Sequence, residues 1–571
     1  MILDAEALAA DTSDGAGDVP VLRAPVVVIG AGPAGIVTAL EAARRNVDVL
    51  LIESGTLKPD AAHQRLSAAR VTDVHAPVEL AVSRQLGGTS AIWGGRCVPY
   101  DPIDFRTREL VAPSRWPIGY DDIAPFHQRA CDWAKCGRAV FDVHELRHLP
   151  AQLVPGLADG GGVLTSTLER WSLPTNFGRV YREELEKSRQ VRVVAGATAL
   201  RLVLAETSAR VRHVECATFG GRRLRVEGDE VVVACGGLET TRLLLASPGP
   251  GGHSIGDHSG HLGHWYMAHL EGVIADIEFD TPPARTVYGY ERDIDGVYVR
   301  RRFTFTEDFL FAQNLPNIAG WIANPELPDA AHGDPTLSFT YLSLISPLGP
   351  LFAPEAQRLS LTGTKIPGTP YGMSVRSPVR AHLANIARHP IRSLAFMFGF
   401  GARRVLSRGR KPPGFFVLRA DNRYPFQYHA EHLPSYESVV RLSDEVDELG
   451  MPRLDIDIRF SDADVDGVLR AHRYWDDRLR TLGVGRLAYH EGDLAAMVRA
   501  RAGGGFHQVG TTRMSRRPED GVVDQNLRVH GFENLHVVSS SAFVTSGQAN
   551  STFLLVCLAI RLADRLFGGR R

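Results

Sequence analysis

The plainest chemistry in this chain lies in three glycines and an acid. The run VVVIGAGPAG, residues 26–35, ends in Gly30-Ala-Gly32-Pro-Ala-Gly35, and the next apolar run, VDVLLIE, ends in Glu53. This spacing suits a dinucleotide pyrophosphate held at a strand-to-helix turn. Gly30 permits the turn, Gly32 lets the backbone approach the phosphates, and Gly35 lets the helix pack on the strand. The helix N-terminus adds free N–H groups and partial positive charge. Glu53, about 20 residues on, is spaced to accept from the ribose hydroxyls. A lone G-x-G-x-x-G is a weak signal. Here an apolar strand precedes it, a helical pattern follows over Ile36–Arg45, and an acid closes the second strand.

Three further blocks carry chemistry-bearing residues. LGGTSAIWGG, Leu86–Gly95, is too rich in glycine for a good strand or helix and suits backbone pressed against a flat ligand. His507-Gln-Val-Gly510-Thr-Thr-Arg-Met514 places a histidine beside a glycine turn; taken alone, His507 reads as a histidine in a capped loop. Gly547-Gln-Ala-Asn550-Ser-Thr552 opens the last helical pattern. Asn550, Ser551 and Thr552 are N-cap residue types, so this helix start can present N–H groups to an anion.

These blocks need a scaffold that returns to its starting point. Residues 26–55 read as the opening βαβ of a doubly wound domain. Two later stretches rejoin it: Asp229–Ala246, a buried strand running into a helix, and Phe506–Leu566, with a strand at NLHVVSS and a long apolar helix over Ser551–Phe567. The predicted organisation is a disordered arm over 1–24 and a nucleotide-binding domain over 25–269, with ligand-covering segments at 86–150. A substrate domain over 270–490 follows, and 491–571 return to the first domain. Alternation over Val297–Phe305 and Arg453–Phe460 predicts an antiparallel sheet in the insert.

Composition excludes several function classes. The chain has 571 residues, 44% hydrophobic and 23% charged, and a formal net charge of -1, which suits a multidomain globular protein with no general attraction to nucleic acid or anionic lipid. No apolar run reaches the ~20 residues needed to span a bilayer, so no stable membrane insertion is expected. The first residues are acidic and polar and lack the pattern of an export signal, and six cysteines form no disulfide framework; both point to the cytoplasm. Cys131, Cys136, His144 and His148 have a loose metal spacing without a C-x-x-C, and His258, His261, His264 and His269 cluster in sequence. Both groups read as structural, the second as a covering loop and helix, and no metal is expected. The segment 379–413 combines an apolar centre with many arginines. It reads as a helical cap over the site with solvated arginines, or as a surface for a membrane or an acidic partner.

With these blocks in view the chain resembles the glucose-methanol-choline (GMC) family of flavin-dependent oxidoreductases, and within it the pyranose-oxidase-like and sugar-dehydrogenase branch. HLGHWYMAH (261–269), GGLETTRLLLAS (236–247) and GVVDQNLRVHGFENLHVV (521–538) add to the likeness. The resemblance implies an α/β fold, a Rossmann-like FAD-binding domain with an inserted α+β substrate domain on an antiparallel sheet. It implies FAD, and oxidation of a CH–OH group with His507 as base and Asn550 as its partner on the substrate oxygen. Gly30, Gly32, Gly35 and Glu53 match cofactor positions. So do Gly87, Gly88, Thr89, Ser90, Trp93, Gly94 and Gly95 in the second block, and Ser540, Ser551 and Thr552 near the C-terminus. Where relatives attach FAD through a histidine, this chain has Ile92, so FAD is expected to be non-covalent. The family's aspartate before the last loop is replaced by Ser539 or a neighbour. His429, His432 and Glu431 match a segment lining the substrate side.

The substrate expected is a small sugar-like alcohol: a pyranose, glycoside, cyclitol or aminoglycoside. The electron acceptor, whether O2, a quinone or another, and the oligomeric state are left open. Two other readings are a sterol- or lipid-type alcohol oxidase and the catalytic subunit of an electron-transfer dehydrogenase complex.

Overall fold

The computed structural model describes residues 1–11, 19–112, 114–172, 175–206, 209–364, 376–402 and 409–569. Its centre is a six-stranded sheet, entirely parallel, in the order Ile2–Asp4, Val191–Ala195, Val49–Glu53, Val26–Ile29, Glu230–Val233, Leu535–Val537. Val26–Ile29 and Val49–Glu53 are buried along their whole length, as strands covered on both faces must be, which is why they read as unbroken apolar runs. The helix Pro33–Ala43 follows the first glycine turn and packs against the closing helix Ser551–Phe567. Buried Glu41 and half-buried Asp564 on these helices share Arg45 and Arg129 as ion-pair partners, which ties both to the helix His127–Ala134.

Both predicted returns to this sheet are present: Glu230–Val233 running into the helix Gly236–Leu245, and Leu535–Val537 preceding Ser551–Phe567. The predicted disordered arm is corrected in part. Ile2–Asp4 pairs with Val193–Ala195 at the sheet's edge and leads into a helix, Ala5–Asp11. Val21–Arg23 joins a second sheet beside Arg223–Glu227. Residues 12–18 lie outside the described residues.

A four-stranded antiparallel sheet roofs the site in the order Ile318–Ile322, Arg423–Glu431, His269–Phe279, Gly485–Tyr489. It is not the sheet predicted from alternation. Tyr298–Arg301 pairs instead with Leu168–Trp171. Pro452–Asp457 lies between Val439–Val446 and the parallel strand Ala69–Val71, which comes from the other end of the chain. Alternation identified strands correctly but carries no information about their neighbours. Of the segment 379–413, the described parts are helical over Val379–Arg388 and Pro390–Phe396 and π-helical over Met397–Gly401; residues 403–408 lie outside the described residues.

Candidate active site

A cavity of about 680 Å³ opens at the C-terminal ends of the parallel strands and runs beneath the antiparallel roof. In open α/β sheets this is where ligands bind. Its floor is the first glycine turn. Gly30 takes a left-handed φ of 99°, and a Cβ there would lie 2.6 Å from the Ala234 carbonyl oxygen. A Cβ on Gly35 would lie 1.8 Å from the Gly30 oxygen, so helix and turn touch main chain to main chain. Gly32 differs: a Cβ there would meet no protein atom within 4 Å, and the same holds for Gly94 across the cavity. Neither requires left-handed backbone, so what both leave open is room for a flat ligand against the main chain.

Glu53 is buried, and its carboxylate accepts from the backbone N–H of Ala31 and of Gly55, both at 2.8 Å. Burial pushes its pKa up, against these two hydrogen bonds. It shapes the phosphate turn as well as lining the cavity. Gly87 donates its N–H to the Ala31 oxygen at 2.8 Å, and a Cβ on Gly88 would lie 2.9 Å from Gly32 Cα, so the two glycine-rich segments lie back to back. Within the second segment Ser90 Oγ donates to the Gly87 oxygen at 2.5 Å and accepts from the Phe177 N–H at 3.0 Å, while Trp93 Nε1 donates to the Thr175 oxygen at 2.8 Å. Gly88, Thr89, Ser90, Trp93, Gly94 and Gly95 all line the cavity; Gly35 and Gly87 support it from behind.

His507 and Asn550 meet at the inner end. Asn550 Nδ2 donates to His507 Nε2 at 2.7 Å. Asn550 occupies the N-cap position of Ser551–Phe567, yet its side chain makes no cap hydrogen bond. Asn550 thus stands at the N-cap as its residue type suggested and leaves the helix N–H groups free, while its amide turns to the imidazole. Ser551 and Thr552 line the cavity, so the helix start faces it with its partial positive charge. Ser540 Oγ donates to the Gln508 oxygen at 2.6 Å and so holds the histidine loop. Met267 and Val509 exchange N–H and C=O bonds at 3.0 and 3.2 Å, which sews that loop to the residues just before the roof strand His269–Phe279.

This pairing brings in two histidines whose role the sequence did not reveal. His269 Nδ1 lies 3.1 Å from His507 Nδ1. With Asn550 donating to Nε2, His507 carries its proton on Nδ1 and gives that hydrogen bond to His269. Strand register pairs His269 with Glu431 and Glu271 with His429, which makes the two histidines diagonal neighbours on one face. Their rings stack with centroids 4.2 Å apart. His429 Nδ1 donates to the Gln548 oxygen at 2.7 Å. The three imidazoles form the one grouping of potential metal ligands among the described residues. Burial, and then the Arg96 charge, holds His507 down at about 4; burial and neighbouring histidines push His269 well down, as burial and Arg96 do for His429. All three are therefore neutral near pH 7, the state a proton acceptor needs.

Other candidates fall elsewhere. His258, His261 and His264 sit in loops with no helix, packed on His530, Trp265 and Tyr436, and of that sequence cluster only His269 reaches the cavity. Cys131 and Cys136 are buried, while His144 and His148 are exposed beside Asp142 and the Arg292 oxygen, so these four do not gather. Glu431 is held by a buried bidentate ion pair with Arg108 at 2.8 Å, and His432 by Ala268 and Arg459. Buried polar atoms of residues lining the cavity that lack a hydrogen-bond partner include Asn550 Oδ1, His269 Nε2 and Arg96 Nη2.

Among known proteins, the family model described as FAD dependent oxidoreductase matches residues 25–313, half of the chain, and the one described as GMC oxidoreductase matches residues 434–559. A curated relative, 6'''-hydroxyparomomycin C oxidase of Streptomyces lividus, is 26% identical over 335 residues. That match covers 47% of this chain and 61% of the relative, under two thirds of its length. The 2-methyl-1,2-propanediol dehydrogenase of Mycolicibacterium austroafricanum is 22% identical over a 622-residue alignment covering 94% of each chain. The solved FAD-dependent oxidoreductase of Chaetomium thermophilum shares the fold, with a TM-score of 0.52 at 12% identity over 95% of this chain and 99% of that one. The glycine turn, the second glycine segment and the C-terminal histidine loop thus lie within two matched models, and the chain belongs to the GMC family of FAD-dependent oxidoreductases.

Proposed function

We propose that this enzyme oxidises a CH–OH group of a sugar-like substrate to the ketone or aldehyde, with His507 as the base. The observation that carries the reading is the His507–Asn550 contact of 2.7 Å in a cavity whose other polar atoms include three without partners. Bound FAD supplies a hydride acceptor for the carbinol carbon. Gly32 would let the main chain approach its pyrophosphate, Gly94 would leave room for its ring against the main chain, and the start of Ser551–Phe567 would favour negative charge on the reduced ring.

The substrate oxygen takes its place between His507 and Asn550. Asn550 Nδ2 donates to it, and His507 Nε2 accepts its proton as the hydride leaves carbon. His269, by accepting the Nδ1 proton of His507, keeps the Nε2 lone pair turned toward the substrate. Hydroxyls elsewhere on a polyhydroxylated substrate match Arg96 Nη2, a donor, and Asn550 Oδ1, an acceptor, better than a sterol would. The relatives named as a hydroxyparomomycin oxidase and as the large subunit of fructose dehydrogenase support the same class.

The test is anaerobic flavin bleaching with a panel of sugars, glycosides, aminoglycosides and sterols. Bleaching by a sugar-like member and not by sterols is expected; bleaching by sterols alone would overturn the substrate class. His507→Ala is expected to retain FAD and to slow reduction by roughly 10²–10⁴-fold. Reduction at the parental rate would remove His507 as the base.

A further inference from the structure

Half of the large apolar side chains exposed on this protein are concentrated in one short part of it. Among the described residues, nine of the eighteen lie between Ile345 and Phe398. Two helices there are inverted. Val379–Arg388 turns His382 and Asn385 inward, where they are 0% and 3% exposed and bond to Ser338, Pro328 and Ala330. The same helix leaves Val379 and Leu383 in solvent at 49% and 53%. Pro390–Phe396 buries Ser393 and leaves Ile391 82% exposed; Phe398, about two turns on, is 70% exposed. A helix that buries its polar side and shows its apolar side to water is stable only because its neighbours hold it, and its outer face suits an apolar medium.

Charge points to which medium. From Ala356 to Ala420 the sequence has no acidic residue and twelve arginines and lysines. Arg376, Arg380, Arg388 and Arg392 are exposed around the apolar face. Among the described residues, Arg392 is the one of these four that forms an ion pair, to Asp334 at 3.2 Å. Apolar side chains ringed by arginines are the signature of a helix lying in the plane of a bilayer surface, where the apolar face enters the acyl boundary and the cations meet anionic headgroups. No described helix is long and apolar enough to cross a membrane, so such contact would be peripheral.

We infer that residues 345–364 and 376–398 dock this enzyme on an anionic phospholipid surface. The surface continues into the active-site cavity. Leu361, 46% exposed, also lines the cavity. On the same helix, Glu355–Leu361, Gln357 Nε2 donates to the Ile92 oxygen at 3.1 Å, beside Trp93. Docking therefore sets the cavity rim at the lipid headgroups, where a lipid-soluble electron acceptor is within reach while a polar substrate still arrives from water.

The test uses the FAD-loaded full chain and vesicle co-sedimentation. Vesicles of about one part phosphatidylglycerol to two parts phosphatidylcholine are expected to bind it, pure phosphatidylcholine much less, and about 0.5 M salt to release most of it. Arg380→Gln with Arg388→Gln should weaken binding roughly 25-fold, about five-fold per charge. Ile391→Asp with Phe398→Asp should weaken it at least roughly ten-fold, with FAD content and flavin reduction unchanged, which separates lost docking from lost folding. No sedimentation with anionic vesicles, or variants that bind as the parent does, would overturn the inference. So would a dimer in sedimentation velocity that Ile391→Asp dissolves, since the face would then belong to a second copy.

Discussion

The His269–His507 contact yields a prediction with a worked size. His269→Leu removes the acceptor for the His507 Nδ1 proton, 3.1 Å away, and leaves that part-buried N–H without this partner. An unsatisfied buried donor costs about 1–3 kcal/mol. If that cost falls on the geometry in which Nε2 meets the substrate, flavin reduction slows by about 5- to 160-fold. The assay is anaerobic stopped flow at saturating substrate, which reads the reductive step without the acceptor. His507→Ala and the double variant complete a cycle. Because His269 acts only through His507, the double variant should be no slower than His507→Ala alone. His269→Asn, which retains an acceptor, should recover part of the rate. Parental reduction in His269→Leu would refute the positioning argument. Two losses that multiply in the double variant would show His269 acting on substrate or cofactor by itself.

Four further outcomes are expected. Burial and Arg96 hold His507 near pKa 4, and the neutral form is the base, so the reduction rate should stay level through neutral pH and fall as pH drops through about 4; an acid limb near 6.5 in a pH–rate profile would contradict this. His75 and His472 are also lowered to about 4 by burial. The unfolded chain binds protons that these histidines refuse, so the melting temperature should be highest above about pH 6.5 and decline steadily toward pH 4. Gly32→Ala meets no protein atom within 4 Å and should leave the apoprotein's melting temperature nearly unchanged while weakening FAD binding at least roughly ten-fold, whereas Gly35→Ala, forced to 1.8 Å from the Gly30 oxygen, should lower melting itself; equal effects in calorimetry and flavin titration would break the distinction. Acid precipitation should leave a colourless pellet and free FAD, since Ile92 stands where relatives carry the linking histidine; a yellow pellet would show a covalent bond.

What the sequence made legible was local. The glycine turn, the buried parallel strands and the long final helix announce themselves because each needs only its own residues: a left-handed φ at Gly30, unbroken apolar runs, an apolar helical stripe. The partnership of His507 with Asn550 was legible through family motifs, since no periodicity links residues in two separate loops. His269 and His429 were harder. They stack because of how Arg423–Glu431 pairs with His269–Phe279, and register is set by the whole roof sheet, not by either strand. The neighbours that gave His269 a loose metal spacing stay in the connection ahead of its strand, outside the cavity. Ile2–Asp4 escaped notice for another reason: three residues are too few to show a period, and the strand forms because a sheet edge is there to receive it.

The sheet order has a consequence for how the enzyme comes into being. Val26–Ile29 and its glycine turn leave the ribosome well before the strand Leu535–Val537, which completes the sheet beside Glu230–Val233, and before Ser551–Phe567, which packs against Pro33–Ala43. His507, Asn550 and the start of that last helix all come from the final stretch of chain. Such long-range closure is slow to form. Until Ser551–Phe567 is made, the nascent chain carries the face of Pro33–Ala43 that this helix covers exposed to solvent, a state that invites aggregation. Supply of FAD during expression can then rescue yield only once Ser551–Phe567 has been made, since the start of that helix lines the pocket.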